Sequence, residues 1–351
     1  MQKNCVRKLL KIVALLLSKF IYLPIINIRN YLYDRQFILK TKKLSVTVIS
    51  VGNLTMGGTG KTPLVIELAK ILQKQGYKVG VITRGYKRRN RDLIIADPME
   101  NLPAPEYIGD EPYLIAKNTL QVPIGIYKNR LTCGQKLIEK YPCDILIADD
   151  CFQHRKIYRD IDIVLWDTML NPVKEKIFPL GKLREPIYSI KRADILILIN
   201  NNFDEIKKIF KRIDDSTEVY WATKNITQFV EVDTGRLIEQ SKLLGKSILA
   251  FCGLGNPYQF FNMLEKTLKP SKIVKRVFPD HYKYKRRDID TLNRIYNEHR
   301  INYMITTEKD LINIKNYNSL SNLLVAKLQL KIQEEFIKFV LAQLSFINSK
   351  V

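Results

Sequence analysis

The chain has 351 residues, 46% hydrophobic and 26% charged, with 58 Lys and Arg against 35 Asp and Glu for a net charge of +23. That length and balance exclude a disordered polypeptide and a small disulfide scaffold, and they suit two globular domains. The positive excess narrows the partners to anionic ones: a nucleic acid, an anionic membrane or a phosphorylated substrate.

The charge is not spread evenly. Residues 1–43 hold ten Lys and Arg against one acid, Asp34. Residues 5–28 are apolar, but Lys11, Lys19 and Pro24 interrupt them, so no uncharged run reaches the roughly 18 residues of a spanning helix. On a helical projection Arg7, Lys8, Lys11 and Lys19 share an arc of about 120°, and Leu9, Ile12, Val13, Leu16, Phe20 and Leu23 share one of about 100° opposite it. This pattern predicts a basic amphipathic helix lying in an anionic bilayer surface. An ordinary helix packed on a core is the competing reading. Ser18-Lys19-Phe20 is no secretory cleavage site.

The next segment, Val46 to Thr62, reads VTVISVGNLTMGGTGKT. A β-branched run passes into a glycine loop that ends in Gly60-Lys61-Thr62, and a helix is predicted from Pro63 to about Gln75. That is the layout of a phosphate-binding loop. Backbone N–H groups of Thr55, Met56, Gly57, Gly58, Thr59 and Gly60 surround the phosphates, Lys61 supplies positive charge, and the Thr62 hydroxyl ligates Mg²⁺. The helix N-terminus points its positive end at the same anion, and proline suits a first turn. Thr55 stands where the strict spacing has its first glycine. A plain glycine turn is the bland alternative, and it leaves the strand–loop–helix order unexplained.

Strands are predicted at Val46–Val51, Val79–Thr83, Pro123–Tyr127, Ile145–Ala148, Ile161–Trp166 and Ile195–Ile199, alternating with helical stretches as a parallel sheet requires. Val219–Ala222 and Phe229–Val232 read as a hairpin. The α/β alternation resumes at Ser247–Cys252 and Tyr303–Thr306, a helix is expected over Asp288–Arg300, and Ile332–Phe346 reads as a C-terminal helix. The predicted organisation is a membrane-contact segment at 1–40, a phosphate-loop domain at 41–216, a two-stranded hairpin linker at 217–247 and a smaller α/β lobe at 248–351. A two-lobed enzyme places its site in the cleft.

Ile145–Ala148 leads into Asp149 and Asp150. In phosphate-loop enzymes an acid at the end of a strand beside the loop strand holds Mg²⁺, directly or through water. The following Gln153 and His154 add polar groups. Gly109-Asp110-Glu111-Pro112 is a second acidic site, with Asp110 a candidate base for a hydroxyl acceptor and Glu111 a candidate metal ligand. Taken alone, it reads more readily as a helix N-cap with a first-turn acid. Of the three histidines, His281 sits in the turn Phe278-Pro279-Asp280-His281, and His299 reads as a surface residue. The five cysteines (Cys5, Cys133, Cys143, Cys151, Cys252) show no CxxC pair and read as reduced thiols.

Taken together, these blocks resemble the tetraacyldisaccharide 4′-kinase family of lipid A biosynthesis. The resemblance rests on Gly52-Asn53-Leu54 with Gly57 to Pro63, Thr83-Arg84-Gly85-Tyr86, Gly109 to Pro112 and Asp149 to His154. It continues through Leu183-Arg184-Glu185-Pro186, Gly253 to Pro257, Phe278 to His281 and Thr306 to Asp310, in family order over nearly the whole chain. It implies MgATP-dependent phosphorylation of the 4′-hydroxyl of a tetraacyl glucosamine disaccharide 1-phosphate, giving lipid IVA. It also implies a monotopic enzyme on the cytoplasmic face of a Gram-negative inner membrane. By motif, Asp110 is the base and His281 its partner; Asp149, Asp150, Glu111 and Thr62 serve the metal; Arg184 contacts phosphate. Asn53, Arg84, Gln153 and His154 line or support the substrate. Two positions depart from the family pattern: Cys151 replaces a glycine, and Tyr282 a frequent second histidine. A thiol fits in place of glycine where φ stays negative.

Two other functions compete. The double-glycine loop is similar to that of phosphate-loop ATPases and GTPases that switch a protein partner, but no guanine-reading Asn-Lys-x-Asp is evident. A nucleic-acid-binding ATPase is suggested by charge alone, and the local excess lies on an amphipathic helix rather than among stacking aromatics. The expected partners are the lipid acceptor and an anionic membrane surface, with no nucleic acid and no obligate protein partner.

Overall fold

The computed structural model describes residues 13–349, except 14, 37, 98, 101, 201 and 315–318. The chain forms two compact units. One contains residues up to Thr223 together with those from Ile332 onward, and the other is Lys224–Lys331.

The first unit is built on β1 (Thr47–Asn53), β2 (Val79–Thr83), β3 (Ile94–Ala96), β4 (Ile124–Ile126), β5 (Ile145–Asp149), β6 (Ile161–Asp167), β7 (Ile195–Ile199) and the start of β8 (Glu218–Glu231). Their order is β8-β7-β6-β1-β5-β2-β4-β3. The pairs from β8 through β4 are parallel, and only edge strand β3 runs antiparallel, against β4. Every residue of β1, β2, β4, β5 and β7 is buried, which is why these segments read as unbroken apolar runs and not as alternating ones. β1 lies between β5 and β6, with Val51 opposite Asp149 and Ile49 opposite Ile161. The Lys61–Lys74 helix carries the chain from β1 toward β2, while β5 leads to β6 on the other side of β1. Such a reversal opens a crevice at the carboxyl ends of the strands, where ligands bind in open α/β sheets.

The second unit holds the end of β8, β9 (Leu237–Ile238), β10 (Ser247–Cys252), β11 (Lys272–Val277), β12 (Tyr303–Thr307) and β13 (Leu323–Ile332). Parallel strands run in the order β11-β10-β12-β13. Phe260, Phe261, Leu264 and Leu268 of the Pro257–Leu268 helix fill one face of its core, and Leu292 and Ile295 of the Arg286–Glu298 helix help to fill the other.

Several predicted spans match, among them Val79–Thr83, Ile195–Ile199 and Ser247–Cys252. The expected hairpin pairing of Val219–Ala222 with Phe229–Val232 does not form. Val219–Ala222 and Phe229–Glu231 are the two ends of one 14-residue strand. The residues between them include no glycine or proline and none with positive φ, so nothing turns the chain. The turn comes later, at Gly235 with φ of 69°, and brings Leu237 and Ile238 back antiparallel to Val230 and Phe229. The C-terminal helix Glu334–Asn348, expected in the second lobe, lies in the first unit. There Gln333 exchanges hydrogen bonds with the Trp221 backbone, and buried Phe336 packs edge-on against Tyr220 at 5.9 Å between ring centroids.

At the N-terminus a π-helical turn, Leu17–Tyr22, runs into the α-helix Leu23–Asp34. Arg7, Lys8, Leu9, Lys11 and Ile12 of the predicted amphipathic pattern lie outside the described residues. In the rest, most apolar side chains face outward, with Ile26 the buried exception. Leu16, Phe20, Ile25, Ile28 and Tyr31 are exposed, while Ser18 and Asn30 are buried against the unit. Polar contacts hold the inner face: Asn30 Nδ2 and Arg29 Nη2 each donate to Glu185 at 2.9 Å, and Arg155 Nη1 donates to the Asn30 carbonyl at 2.9 Å. Among the described residues no helix is long and apolar enough to cross a membrane.

If the C-terminal helix completes the first unit, truncating its fully buried ring should destabilise the fold. Phe336→Ala leaves a cavity worth about 3–5 kcal/mol. Thermal denaturation should show a melting temperature several degrees below the parent, and an unchanged melting curve would contradict this placement.

Candidate active site

The loop after β1 is braced internally and from one side. Asn53 Nδ2 donates to Thr59 Oγ1 at 3.0 Å, and Gln153 Nε2 donates to the Asn53 carbonyl at 2.9 Å. Gly60 takes φ of 96° just before the helix, and Gly57 takes 111°, conformations that residues with a Cβ rarely adopt. Thr55, at the position of the missing glycine, is fully buried and forms an antiparallel bridge with Leu183. Met56 N–H donates to the Lys182 carbonyl at 2.7 Å and Arg184 N–H to the Leu54 carbonyl at 2.7 Å. The backbone on either side of Thr55 thus anchors the loop to the 182–184 segment. Gly57 and Gly58 have open space where a Cβ would stand.

Beside the loop, β5 ends in the two acids. Asp150, with φ of 46°, turns out of the strand and accepts from Arg184 Nη1 at 2.9 and 3.1 Å, while Lys61 Nζ stands 3.4 Å from its Oδ1. Burial alone would raise its pKa, but Lys61 and Arg184 outweigh burial and bring it down to about 2. Asp149 behaves in the opposite way. It is buried, its Oδ2 accepts from Thr83 Oγ1 at 3.0 Å, and its Oδ1 has no hydrogen-bond partner. Burial first, and then the charge of Asp150, raise its pKa to about 6. Glu111 adds to the same negative potential, which brings it electrostatically to this site. One acid is therefore a fixed anion, and its neighbour is a carboxylate short of a positive partner.

The fit of a magnesium ion follows from that donor set. Among the described residues no three His, Cys, Asp or Glu side chains form a metal cage. Magnesium at nucleotide sites uses one or two carboxylates with substrate phosphates and waters, so a cage is not required. The orphaned, buried Asp149 Oδ1 beside Asp150 suits it.

The other predicted residues fall around these acids or apart from them. Thr62 sits in the first turn of the loop helix. Asp110 opens the Asp110–Asn118 helix directly after Gly109, whose φ is 98°. A Cβ on Gly109 would lie 3.3 Å from Gly85 Cα, so the Thr83–Tyr86 and Gly109–Pro112 segments meet backbone to backbone. Arg84 is exposed. His154 is largely buried, and burial with the charges of Arg130, Lys156, Arg159 and Arg84 lowers its pKa to about 4, leaving the ring neutral near pH 7. Cys151 is fully buried at negative φ, and burial raises its thiol pKa to about 11, so a neutral thiol replaces glycine without strain.

His281 belongs to the second unit. Its φ is 61°, and its Nε2 stands 3.1 Å from Lys309 Nζ, which also contacts Asp280 at 2.9 Å. Tyr282 packs on Phe278 and donates to Asp288 Oδ2 at 3.0 Å, a structural part for the residue that replaces histidine. His299 follows the Arg286–Glu298 helix at the surface, beside Lys272. Cys133, Cys143, Cys151 and Cys252 are free and buried.

Arg130 was not visible as a site residue in the sequence. It is buried, and its Nη2 reaches the carbonyls of Asp149 at 3.5 Å and Asp150 at 3.3 Å, holding the turn that presents both acids. A lone Arg after Asn129 at a helix start carries no motif, and only the fold reveals its contact 19 and 20 residues away.

A glycine loop between a buried strand and a helix, with a lysine facing acids on the adjacent strand end, defines a phosphate-loop nucleotide enzyme. The chain belongs to the tetraacyldisaccharide-1-P 4′-kinase family, whose model matches residues 11–345. It is 37% identical over 317 residues to the tetraacyldisaccharide 4′-kinase of Syntrophus aciditrophicus, covering 86% of this chain and 84% of that protein. It is 36% identical over 329 residues to that of Aquifex aeolicus, covering 92% and 95%. The crystal structure described as the "apo" form of LpxK from Aquifex aeolicus in complex with ATP matches with a TM-score of 0.74 at 33% identity, over 95% of this chain and 99% of that one. The chain is thus an enzyme and a kinase, and the reading as a nucleotide switch has no support.

The Asp149 environment makes a pH-dependent prediction. Its folded pKa of about 6 lies above the ordinary 3.8, so the folded state binds the proton more readily. That contribution to stability is complete at low pH and is lost as pH rises through 6, amounting to about 2–3 kcal/mol. Asp149→Asn removes the penalty. Without nucleotide the variant should melt above the parent at pH 8, and the difference should shrink toward zero near pH 4. An equal difference at both pH values, by calorimetry, would contradict this assignment.

Proposed function

We propose that the chain transfers the γ-phosphate of ATP to the 4′-hydroxyl of tetraacyl-glucosamine disaccharide 1-phosphate, forming lipid IVA, with the residues of the β1 and β5 strand ends as its machinery. The observation that carries this reading is Asp150 held between Lys61 and Arg184 at the mouth of the phosphate loop. Two cations converge there on one carboxylate, the charge pattern that receives a phosphoryl group. In this reading the backbone N–H groups of residues 55–60 cradle the nucleotide phosphates, Lys61 offsets their charge, and Arg184 contacts phosphate. Of the candidates Thr62, Glu111, Asp149 and Asp150, the Thr62 hydroxyl and one or two of the carboxylates would hold Mg²⁺, with phosphates and waters completing its shell. An ion held there would supply positive charge against the phosphates. Asn53 and Gln153 keep the loop in shape, and Arg84 and His154 border the acceptor side.

A sugar hydroxyl is a poor nucleophile at neutral pH, and taking its proton as the P–O bond forms is worth roughly 10²–10⁴ in rate. Asp110 is assigned as the base. His281, in the second unit, is kept as a catalytic candidate on the family resemblance.

The acceptor carries four acyl chains, so the enzyme works at the cytoplasmic face of the inner membrane as a monotopic protein. The exposed row Leu16, Phe20, Ile25, Ile28 and Tyr31 supports this attachment, as does the basic excess of residues 1–43. The basic charge is thereby accounted for without nucleic acid, and no obligate protein partner is required.

The assay is phosphate transfer from labelled ATP to the disaccharide 1-phosphate, with product identified as lipid IVA. Asp110→Asn should keep ATP affinity and lower kcat at least about tenfold, and His281→Ala should lower kcat as well. If the two act as a unit, the double variant is little worse than the poorer single one. Fully multiplicative losses would remove the dyad, and an active Lys61→Ala would remove the phosphate-loop assignment.

A further inference from the structure

Arg184 is fixed through its backbone from two sides. Its N–H donates to the Leu54 carbonyl at 2.7 Å, which ties it to the phosphate loop. Its own carbonyl accepts the Tyr22 hydroxyl at 2.9 Å, which ties it to the N-terminal helix. The next residue, Glu185, is fully buried and is held by Arg29, Asn30 and Arg192 at 2.8–2.9 Å. Arg192 in turn lies over the Phe152 ring at 4.5 Å, and Phe152 presses on the end of β1, where a Cβ on Gly52 would stand 2.5 Å from its Cβ. Ser18 Oγ, 3.4 Å from the Ile177 carbonyl, and Tyr22, edge-on to Phe178 at 5.6 Å, extend the same seam. The inner face of the helix is thus keyed by polar groups to the segment that braces the loop. A fastening to the membrane would require only the exposed apolar row. Burying a carboxylate needs paired, hydrogen-bonded partners, and two of the partners of Glu185 come from the N-terminal helix.

We propose that Tyr22 and Glu185 are positioning residues for phosphoryl transfer: they set the Arg184 backbone, and through it the guanidinium facing Asp150, so that the N-terminal helix is part of the active-site frame. The inference rests on the assignment of Arg184 as a phosphate contact. Arginine has many rotamers, and a displaced backbone would let its side chain satisfy Asp150 in a geometry that no longer faces the loop. Positioning errors of this kind are read in kcat, because the substrates still bind while the reacting groups are misaligned.

The test is a double-mutant cycle on the full chain in mixed micelles, with saturating ATP and lipid acceptor. Tyr22→Phe keeps the ring and removes only the hydroxyl. Its kcat should fall about three- to tenfold, the effect of one lost hydrogen bond, while KM for the lipid and flotation with anionic liposomes stay unchanged. Glu185→Gln keeps the shape and loses the charge, and its kcat should fall further. If it fails to fold, Tyr22→Phe decides. Arg184→Lys should itself lower kcat, and adding Tyr22→Phe to it should cost less than about twofold more, since the path already ends at a displaced cation. Full activity of Arg184→Lys would remove the phosphate-contact assignment and this inference with it. An impaired Arg184→Lys beside a fully active Tyr22→Phe, or multiplicative losses, would overturn the inference alone. So would a Tyr22→Phe protein that loses flotation or lipid affinity while keeping kcat.

Discussion

The site is organised around one carboxylate, Asp150, held by Arg184 at 2.9 Å and faced by Lys61 at 3.4 Å. Three different parts of the first unit meet there: the end of β5, the start of the loop helix, and the 182–184 segment that pairs with Thr55. The backbone of Asp150 leaves the strand with positive φ, and Arg130 holds the carbonyls of this turn. Its neighbour Asp149 continues into the protein and meets Thr83 at the end of β2. Two adjacent acids are driven to opposite protonation behaviour because one faces cations and the other faces the interior. That division follows from where the strand stops: Asp149 is the last residue of β5, and the left-handed backbone of Asp150 carries its side chain out of the strand toward Lys61 and Arg184.

The N-terminal helix follows a second constraint. A helix that packs on a soluble core turns its apolar side inward. Here Leu16, Phe20, Ile25 and Ile28 face outward, and the inner side, besides buried Ile26 and the Tyr22 ring, makes hydrogen bonds and ion pairs to Glu185, Arg155 and the Arg184 carbonyl. Hydrogen bonds and ion pairs are directional, so this arrangement fixes the helix in one register on the unit. An apolar interface of the same area would tolerate sliding.

Much of the fold was legible in the sequence because parallel strands buried on both faces leave continuous β-branched runs. Val79–Thr83 and Ile195–Ile199 were read to the residue for that reason. The loop was legible from Gly57 to Thr62 because phosphate binding demands particular residues at particular spacing. The reading went astray where local pattern carried no information. Two four-residue runs separated by polar residues look like a hairpin, but no glycine, proline or positive φ falls between them, and the strand runs straight through. The C-terminal helix carries no signal of which unit it joins; its place is decided by a pocket for Phe336 beside Tyr220. Tyr22 and Arg130 were missed because their partners stand 162 and about 20 residues away, beyond any local motif.

The central claim is that Asp150 occupies, in the nucleotide-free protein, the two cations that a phosphate group would otherwise engage. Calorimetric titration of Asp150→Asn with ATP in the absence of magnesium tests this most directly. Removing the competing charge frees Lys61 and Arg184, and the account predicts ATP binding at least as tight as in the parent, rising by up to about tenfold for a carboxylate this strongly paired. Weaker ATP binding in the magnesium-free variant would contradict it, because Asp150 would then be supporting the anion site instead of competing for its cations.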